Sequence, residues 1–217
     1  MKLARTIQID GIDAALPSAV PPIEALPRPS RVPVSLPQQR LWFLSRLAGG
    51  SEAVHIQMGL RLCGDLNEAA LQPALDGLVA RHKVLRTTFG AEDGEPFQRL
   101  GPANVGVPLK RDDPTAAADV EATLAELMRH EAQVTFDVEA GPLIRGRLVR
   151  MAMDDHVLLI TMHYMVSDDW SRKILTRELS ELFAAAPAGP GDRGAAVAVG
   201  FGGYARLERR LGGGGGG

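Results

Sequence analysis

The composition of this 217-residue chain is that of a globular protein, and it limits the classes to which the protein can belong. The length accommodates one domain of roughly 100–200 residues, with or without a tail, and is too short for two domains with separate cores. Hydrophobic residues make up 45% of the chain and charged residues 23%, which argues against general disorder and against a membrane protein. Because 24 Lys+Arg face 26 Asp+Glu and the net charge is −2, we expect no nucleic-acid partner.

The cysteine content and the apolar runs indicate a cytoplasmic protein. Cys63 is the single cysteine, so it cannot form an internal disulfide, which fits a reducing compartment. Asp10 and Asp13 interrupt the apolar positions of the N-terminus, and a secretory signal is therefore not expected. The longest apolar run, 157–162, is far shorter than the roughly 18 residues of a membrane span, and we expect no membrane partner.

The distribution of proline and glycine divides the chain into three parts. Prolines are dense between Pro17 and Pro37, where they remove backbone donors and favour extended structure. The chain ends in a run of glycines that cannot hold one conformation. We predict a Pro-rich linker over residues 1–30, a folded lobe over 31–211 and a glycine tail over 212–217.

A helix and a strand open the predicted lobe. Ser35 can cap a helix that runs to Leu47, with its apolar residues on one face. Over 54–62 the apolar residues occupy every second position and polar residues lie between them. This alternation predicts a strand with one face buried.

A second helix and a hairpin follow. Asp65 and Glu68 have the spacing of a capping box, which places a helix start at Asp65, and Pro73 predicts a kink within that helix. Apolar and β-branched residues predict strands over 84–89 and 96–100. Because a short polar turn joins these strands, we predict that they form a hairpin.

The second half of the lobe repeats the alternation of helix and strands. Asp113 and Pro114 are typical of a helix start, and apolar residues at helical spacing continue that helix to Ala132. The patterns at 143–151 and 156–164 predict two strands, and the short Asp-Asp turn between them predicts that they are adjacent and antiparallel.

The last predicted helix begins at Ser167 or Asp168, either of which can cap it, and ends at Pro187. Helices and strands thus interleave along the whole lobe. This order predicts an α/β fold, a layered sandwich around a mixed sheet.

The polar segment that follows the last predicted strand is the richest in potential chemistry. At 161–171 an apolar strand runs directly into polar residues and a helix start, an arrangement that can gather side chains around a ligand. By itself, His163 at such a strand end is more often a hydrogen-bonded structural residue than a catalyst. The remaining histidines lack the spacing of metal ligands and predict no metal site; they are His55, His82, His130 and His156.

Five separated segments resemble, in the same order, the motifs of nonribosomal peptide synthetase condensation domains. SLPQQRLWFLSRL at 35–47 resembles the first family motif, and RHKVLRTTF at 81–89 resembles the second. FDVEAGPLIRGRL at 136–148 is similar to the strand start before the active-site motif. MHYMVSDDWS at 162–171 resembles the active-site motif, usually HHxxxDG, and YARLERRL at 204–211 resembles the fourth motif.

The resemblance implies a fold and a set of partners. Residues 31–211 would be the N-terminal lobe of a condensation domain, which resembles chloramphenicol acetyltransferase: a two-layer α/β sandwich with a mixed, largely antiparallel sheet and flanking helices. Family members pair two such lobes around a tunnel that carrier proteins enter from opposite faces. The implied partners are therefore a missing C-terminal lobe and peptidyl carrier proteins. The 4′-phosphopantetheine cofactor belongs to the carriers, and none is implied on this chain.

The active-site motif departs from the family pattern at two positions. The resemblance assigns catalysis to His163, Tyr164 and Asp168, but Tyr164 replaces the second His and Asp169 replaces the Gly. In the family the second His is credited with assisting the attack of the acceptor amine. A phenol, with an ordinary pKa of about 10, is a poor base near neutral pH, although its hydroxyl can donate a hydrogen bond.

The residues around this motif have implied roles as well. Ser167, Asp169 and Trp170 would line the opening of the substrate tunnel. The resemblance makes Asp168 a structural residue paired with a buried Arg, for which Arg86 is the first choice and Arg145 the second. The alternative is that Asp168 is a solvated helix cap.

Three functions follow from these observations. The first is an amide-forming condensation domain, of which this chain is the N-terminal half and is inactive alone. The second is a condensation-like domain that docks a carrier protein or recruits a modifying enzyme without catalysing condensation. The third is an acyltransferase that uses coenzyme A, against which the first, second and fourth motifs count.

Overall fold

The computed structural model of the protein describes residues 31–46 and 54–185. In chain order the elements are β1 (Val32–Pro33), α1 (Leu36–Ser45), β2 (His55–Cys63), α2 (Glu68–Arg81), a 3-10 helix (Lys83–Arg86), β3 (Thr87–Glu92), β4 (Glu95–Leu100), β5 (Leu109–Asp112), α3 (Val120–Gln133), β6 (Ile144–Ala152), β7 (Asp155–His163) and α4 (Asp169–Ala184). The predicted linker at 1–30, fourth motif at 204–211, glycine tail at 212–217 and helix ends at Leu47 and Pro187 lie outside the described residues.

The strands form two sheets. One is four-stranded, with the order β2-β7-β6-β5, and the other is three-stranded, with the order β1-β4-β3. All neighbouring strands are antiparallel except β5 and β6, which are parallel. The mixed, largely antiparallel sheet and flanking helices agree with the predicted fold class.

The alternation of apolar residues determines how the helices cover the four-stranded sheet. Leu158 and Ile160 of β7 lie in the main core with residues of α2 and α4. Val157 and Leu159 point to the opposite face, where they pack with Leu124 of α3. The main helical layer of α2 and α4 thus lies on one face of the sheet, and α3 lies on the other.

The predicted strand at 54–62 and both predicted hairpins are confirmed. Val54 and the apolar residues of β2 at alternate positions are buried, as are their partners on β7. β3 and β4 form a hairpin around Asp93 and Gly94, which both have positive φ and therefore permit a tight turn. β6 and β7 are adjacent and antiparallel.

The predicted start of α2 at Asp65 is wrong. The N-cap is Asn67, whose side-chain oxygen accepts from the Ala70 N–H at 3.2 Å. Because Asn67 lies immediately before the first helical residue, its side chain can reach a free N–H of the first turn. Pro73 lies inside α2 as predicted.

Two further predicted boundaries are wrong. Residues 83–86 form the 3-10 helix, so β3 begins only at Thr87. Asp113 accepts from the Thr115 N–H at 3.1 Å in a local turn, and Asp119 instead caps α3 through the Ala122 N–H at 2.9 Å. Strand β5, which precedes that turn, was not predicted.

None of the helices within residues 31–46 and 54–185 combines the length and the apolar character that a membrane crossing demands.

Candidate active site

The segment at 163–168 connects the end of β7 to the start of α4. Backbone hydrogen bonds attach its first two residues to the residues that precede β6 and β2, the strands on either side of β7. The His163 N–H donates to the Leu143 carbonyl at 3.0 Å. The Tyr164 N–H donates to the Val54 carbonyl at 2.9 Å. A tight turn then forms because the Val166 N–H donates to the His163 carbonyl at 3.0 Å.

His163 is fully buried beneath this segment. Its Nδ1 accepts from the Met165 N–H at 3.1 Å, which places the single proton of the neutral ring on Nε2. That Nε2 has no hydrogen-bond partner among the described residues. Burial, and secondarily the charge of His55, lower the pKa of His163 to about 4. His163 is therefore a neutral group that shapes the segment, and it is a weak base near pH 7.

Two aromatic rings lie beside this buried imidazole. The ring centroid of His55 lies 6.0 Å from that of His163, and the centroid of Phe136 lies 6.2 Å away. Phe136 is in turn covered by Arg145, whose Cζ lies 4.0 Å from the ring centroid. Because Arg145 also pairs with Glu131 of α3, this cation–π contact connects the site to the helix that precedes Phe136.

A buried group of charges fixes the end of that helix. Glu131 of α3 pairs with Arg145 and, at 3.1 Å, with Arg147. Arg147 also contacts Asp112 at 2.8 Å, and Arg145 donates to the Val134 carbonyl at 2.6 Å. Burial alone would raise the pKa of Glu131, but hydrogen bonds and charges from both arginines outweigh burial and hold this pKa below its ordinary value. This network was not predicted from the sequence.

Tyr164 and Trp170 are the accessible aromatic members of the predicted site. Tyr164 is 39% exposed, directly after the buried His163. Trp170, in the first turn of α4, is 70% exposed, and the Lys173 Nζ lies 5.9 Å from its ring centroid. Tyr164 and Trp170 thus expose aromatic surface at the two ends of residues 164–170.

Asp168 is the N-cap of α4. Its Oδ1 accepts from the Ser171 N–H at 2.7 Å and from the Ser171 hydroxyl at 2.5 Å. These hydrogen bonds lower the pKa of the Asp168 carboxyl, because they stabilise its charged form. The side chain is exposed, so Asp168 is a solvated helix cap.

The structure does not bring Asp168 and Arg86 together, and this predicted ion pair requires correction. Arg86 donates to the Gly101 carbonyl at 2.7 Å. Arg145, the second choice, pairs with Glu131. The physical reason is that the free N–H groups of α4 satisfy Asp168 locally, whereas each arginine has a nearer acceptor.

Ser167 is buried, and a small cavity lies beside it. The Ser167 Oγ has no hydrogen-bond partner among the described residues. The cavity measures about 100 Å³, and apolar side chains form most of its wall; its lining residues are His82, Val84, Leu85, Val166, Ser167, Ser171, Ile174 and Leu175. The cavity lies between residues 82–85 of the second motif and the first half of α4. The side chain of Asp169, the third predicted tunnel residue, lies outside the described part of the structure.

Gln38 was not predicted as a site residue, but it contacts this segment. Its Nε2 donates to the Met165 carbonyl at 3.1 Å. Gln38 lies in the first motif, at the start of α1, so the motif itself was the signal that could have identified it. In the portions of the chain that the structure describes, no group of three or more His, Cys, Asp or Glu residues is arranged to hold a metal ion.

Sequence comparison relates most of the chain to one family. The family model of the condensation domain matches residues 29–197. Malpibaldin synthetase from Mortierella alpina is 46% identical over 163 residues, which are 74% of this chain and 3% of that protein. A dimodular nonribosomal peptide synthase from Bacillus subtilis is 36% identical over 194 residues, 89% of this chain and 8% of that protein. The chain thus spans a small part of these relatives.

Solved structures agree with the sequence comparison. The X-domain from teicoplanin biosynthesis, solved in complex with OxyB, matches with a TM-score of 0.69 and 32% identity, covering 89% of this chain and 41% of that chain. The starter condensation domain of rhizomide synthetase RzmA matches with a TM-score of 0.67 and 22% identity, covering 72% of this chain and 38% of that chain. These likenesses confirm the predicted fold class.

Proposed function

This chain belongs to the condensation-domain family of nonribosomal peptide synthetases, and on that basis we propose that it forms the N-terminal lobe of a domain that makes an amide bond between two carrier-bound substrates. The donor would be an acyl or peptidyl thioester, and the acceptor would be a carrier-bound amine. Both would be attached through 4′-phosphopantetheine arms of peptidyl carrier proteins. A C-terminal lobe, outside this chain, would complete the tunnel between them.

The proposed reaction is the aminolysis of a thioester. The acceptor nitrogen attacks the thioester carbonyl, the C–N bond forms, and the C–S bond breaks to release the donor's pantetheine thiol. The amine loses one proton and the leaving thiolate gains one, so the reaction needs no redox partner. Two groups can lower its barrier: a base for the amine proton and a hydrogen-bond donor for the oxyanion of the tetrahedral intermediate.

The observation that carries the proposal is the arrangement of the active-site motif at one accessible end of the sheet. His163 is buried and supports the segment, while Tyr164 occupies the second-His position and is 39% exposed. The side chains of the motif that can meet a substrate therefore lie at the rim of the lobe. This geometry favours a site that a second lobe closes.

The side chains present suggest an unusual division of roles. The Tyr164 hydroxyl can donate a hydrogen bond to the developing oxyanion, but a phenol is a poor acceptor for the amine proton. His163 cannot replace it, because the Met165 N–H occupies its Nδ1 and the ring is buried. We expect a slow reaction driven chiefly by orientation of the two arms, which can supply about 7–11 kcal/mol of a barrier.

The test compares this chain with a two-lobed protein in which it is followed by its natural C-terminal lobe. Donor and acceptor carriers, loaded with an aminoacyl thioester and an amino acid, are mixed with each protein, and the amide product is detected by mass spectrometry in single turnover. We expect product with the two-lobed protein and none above background with this chain alone. Failure of the two-lobed protein to form product with any loaded pair would contradict the proposal.

A second candidate function is recruitment without catalysis. Two observations favour it: Tyr164 stands where the family has its second His, and the teicoplanin X-domain, which was solved in complex with OxyB, is 32% identical over 89% of this chain. Under this function the two-lobed protein would bind a modifying enzyme or a carrier and form no amide. Saturable binding in calorimetry without turnover in the assay above would support it.

A further inference from the structure

Two peptide groups on either side of the Tyr164 Cα are held by hydrogen bonds. The Tyr164 N–H donates to the Val54 carbonyl at 2.9 Å, and the Met165 N–H donates to the His163 Nδ1 at 3.1 Å. Because peptide groups are planar, fixing both limits the φ and ψ angles of Tyr164. These two hydrogen bonds therefore set the direction in which the Tyr164 side chain leaves the backbone.

The next peptide group, between Met165 and Val166, is held at both of its polar atoms. The Val166 N–H donates to the His163 carbonyl at 3.0 Å, and the Met165 carbonyl accepts from the Gln38 Nε2 at 3.1 Å. Within the described residues, this last contact is the single hydrogen bond between α1 and residues 164–168. It joins positions 127 residues apart in the sequence, so it connects the first motif to the active-site motif.

The orientation of the Gln38 amide is determined by two backbone partners. Its Oε1 accepts from the Ser35 N–H at 3.0 Å while its Nε2 donates to the Met165 carbonyl. A flipped amide would place its NH2 group against the Ser35 N–H and its oxygen against the Met165 carbonyl, and both hydrogen bonds would be lost. Glutamate could complete the capping box of α1 equally well, but it has no donor for the carbonyl. The contact with Met165 is therefore specific to glutamine.

We propose that Gln38 is a positioning residue of the candidate active site, which holds the Met165 carbonyl and thereby keeps Tyr164 in the orientation that meets the reactants. Its role in catalysis rests on the proposed function, whereas its hold on residues 164–168 does not. Gln38 touches no reacting atom in this account. It acts on the segment that carries Tyr164, and it links that segment to α1.

The first test measures amide hydrogen exchange in the full chain for the wild type, Gln38→Glu and the control Ser35→Ala. Gln38→Glu keeps an acceptor for the Ser35 N–H but loses the donor to Met165, so we expect the Met165 and Val166 amides to exchange about 10-fold faster, as for the loss of one hydrogen bond. Ser35→Ala removes the other half of the capping box. We expect it to speed exchange at the start of α1 and to leave Met165 and Val166 unchanged.

Two results of this experiment would overturn the positioning role. One is unchanged exchange at Met165 and Val166 in Gln38→Glu. The other is an equal acceleration at these amides in Ser35→Ala, which would mean that Gln38 acts only by capping α1. The experiment needs no enzymatic activity, so it decides the role of Gln38 even if the two-lobed protein forms no amide.

The second test measures steady-state kinetics of the two-lobed protein with loaded carriers. We expect Gln38→Glu to lower kcat about 10- to 100-fold with little change in KM, because the loss is one of orientation and not of binding. Ser35→Ala should leave both constants near their wild-type values. An active protein whose kcat is unaffected by Gln38→Glu would contradict the catalytic part of the proposal.

Discussion

Lowering the pH should destabilise this lobe through His163, because the folded protein keeps that ring neutral. The pKa of His163 is lowered from its ordinary 6.5 to about 4, so between these values the unfolded chain binds a proton that the folded chain does not. Stability therefore increases with pH across this window. It is fully present above the unfolded pKa and is lost as the pH falls toward 4.

The size of the effect follows from the two pKa values. With 6.5 for the unfolded chain and about 4 for the folded one, linkage predicts a loss of about 2 kcal/mol in the free energy of unfolding between pH 7 and pH 5. Protonation would also turn the His163 Nδ1 from an acceptor into a donor. The hydrogen bond from the Met165 N–H would then be lost.

The assay is urea unfolding of the full chain at pH 7 and pH 5, compared with His163→Gln. The glutamine amide can accept from the Met165 N–H but does not titrate, so the difference between the two proteins reports on the His163 ring. We expect the wild type to lose about 2 kcal/mol more than the variant over this range. Equal losses in the two proteins would mean that His163 is not held neutral by the fold.

Further predictions concern the buried charges, the cap of α4 and the exposed apolar surface. Glu131→Gln should cost roughly 3–5 kcal/mol of unfolding free energy because, among the described residues, it leaves Arg145 without a carboxylate partner and Arg147 with Asp112 alone. The exposed control Glu126→Gln should cost less than about 0.5 kcal/mol, and an equally small loss in both variants would contradict the network's role. Asp168→Ala should cost about 1 kcal/mol of unfolding free energy because the N-cap of α4 is lost. A double-mutant cycle with Arg86→Ala should show a coupling energy below about 0.5 kcal/mol. A larger coupling energy would indicate that Asp168 and Arg86 form an ion pair after all. Sedimentation velocity should show that the chain self-associates through exposed apolar surface, and Trp170→Ser should weaken this self-association. The control variant Met153→Ser should leave it unchanged, since Met153 is 84% exposed at a hairpin turn away from the site. A monomer at all concentrations would contradict the expectation.

Element types could be predicted from the sequence wherever one periodicity extends over several residues. The alternation from Val54 to Leu62 identified β2 because a period of two leaves a single face to bury. Helix starts were less predictable, since Asp65 and Asn67, or Asp113 and Asp119, are competing caps within a few residues. The choice between them depends on where the helix must begin to reach the sheet. β5 is a short parallel edge strand with an exposed centre, and its pattern carries little signal.

The residues of the candidate site could be selected from the sequence, but their contacts could not be predicted. The segment from His163 to Trp170 was identified because polar residues follow a buried strand and match a family motif. The partners of Asp168 and Arg86 depend on which hydrogen-bond donors and acceptors lie nearest in the folded chain. The sequence does not give those distances. The contact between Gln38 and Met165 was missed for the same reason, since it joins two distant segments.

In the proposed function, Tyr164 occupies the reacting position of an amide-forming site that lacks its usual base. The most direct test is the single-turnover rate of amide formation by the two-lobed protein, compared with Tyr164→His and with Tyr164→His plus Asp169→Gly. General-base assistance is typically worth about 100- to 10,000-fold, so we predict a slow wild type and a rate that rises toward this range when the imidazole is restored. A wild type that is already fast, with neither change raising its rate, would contradict the account.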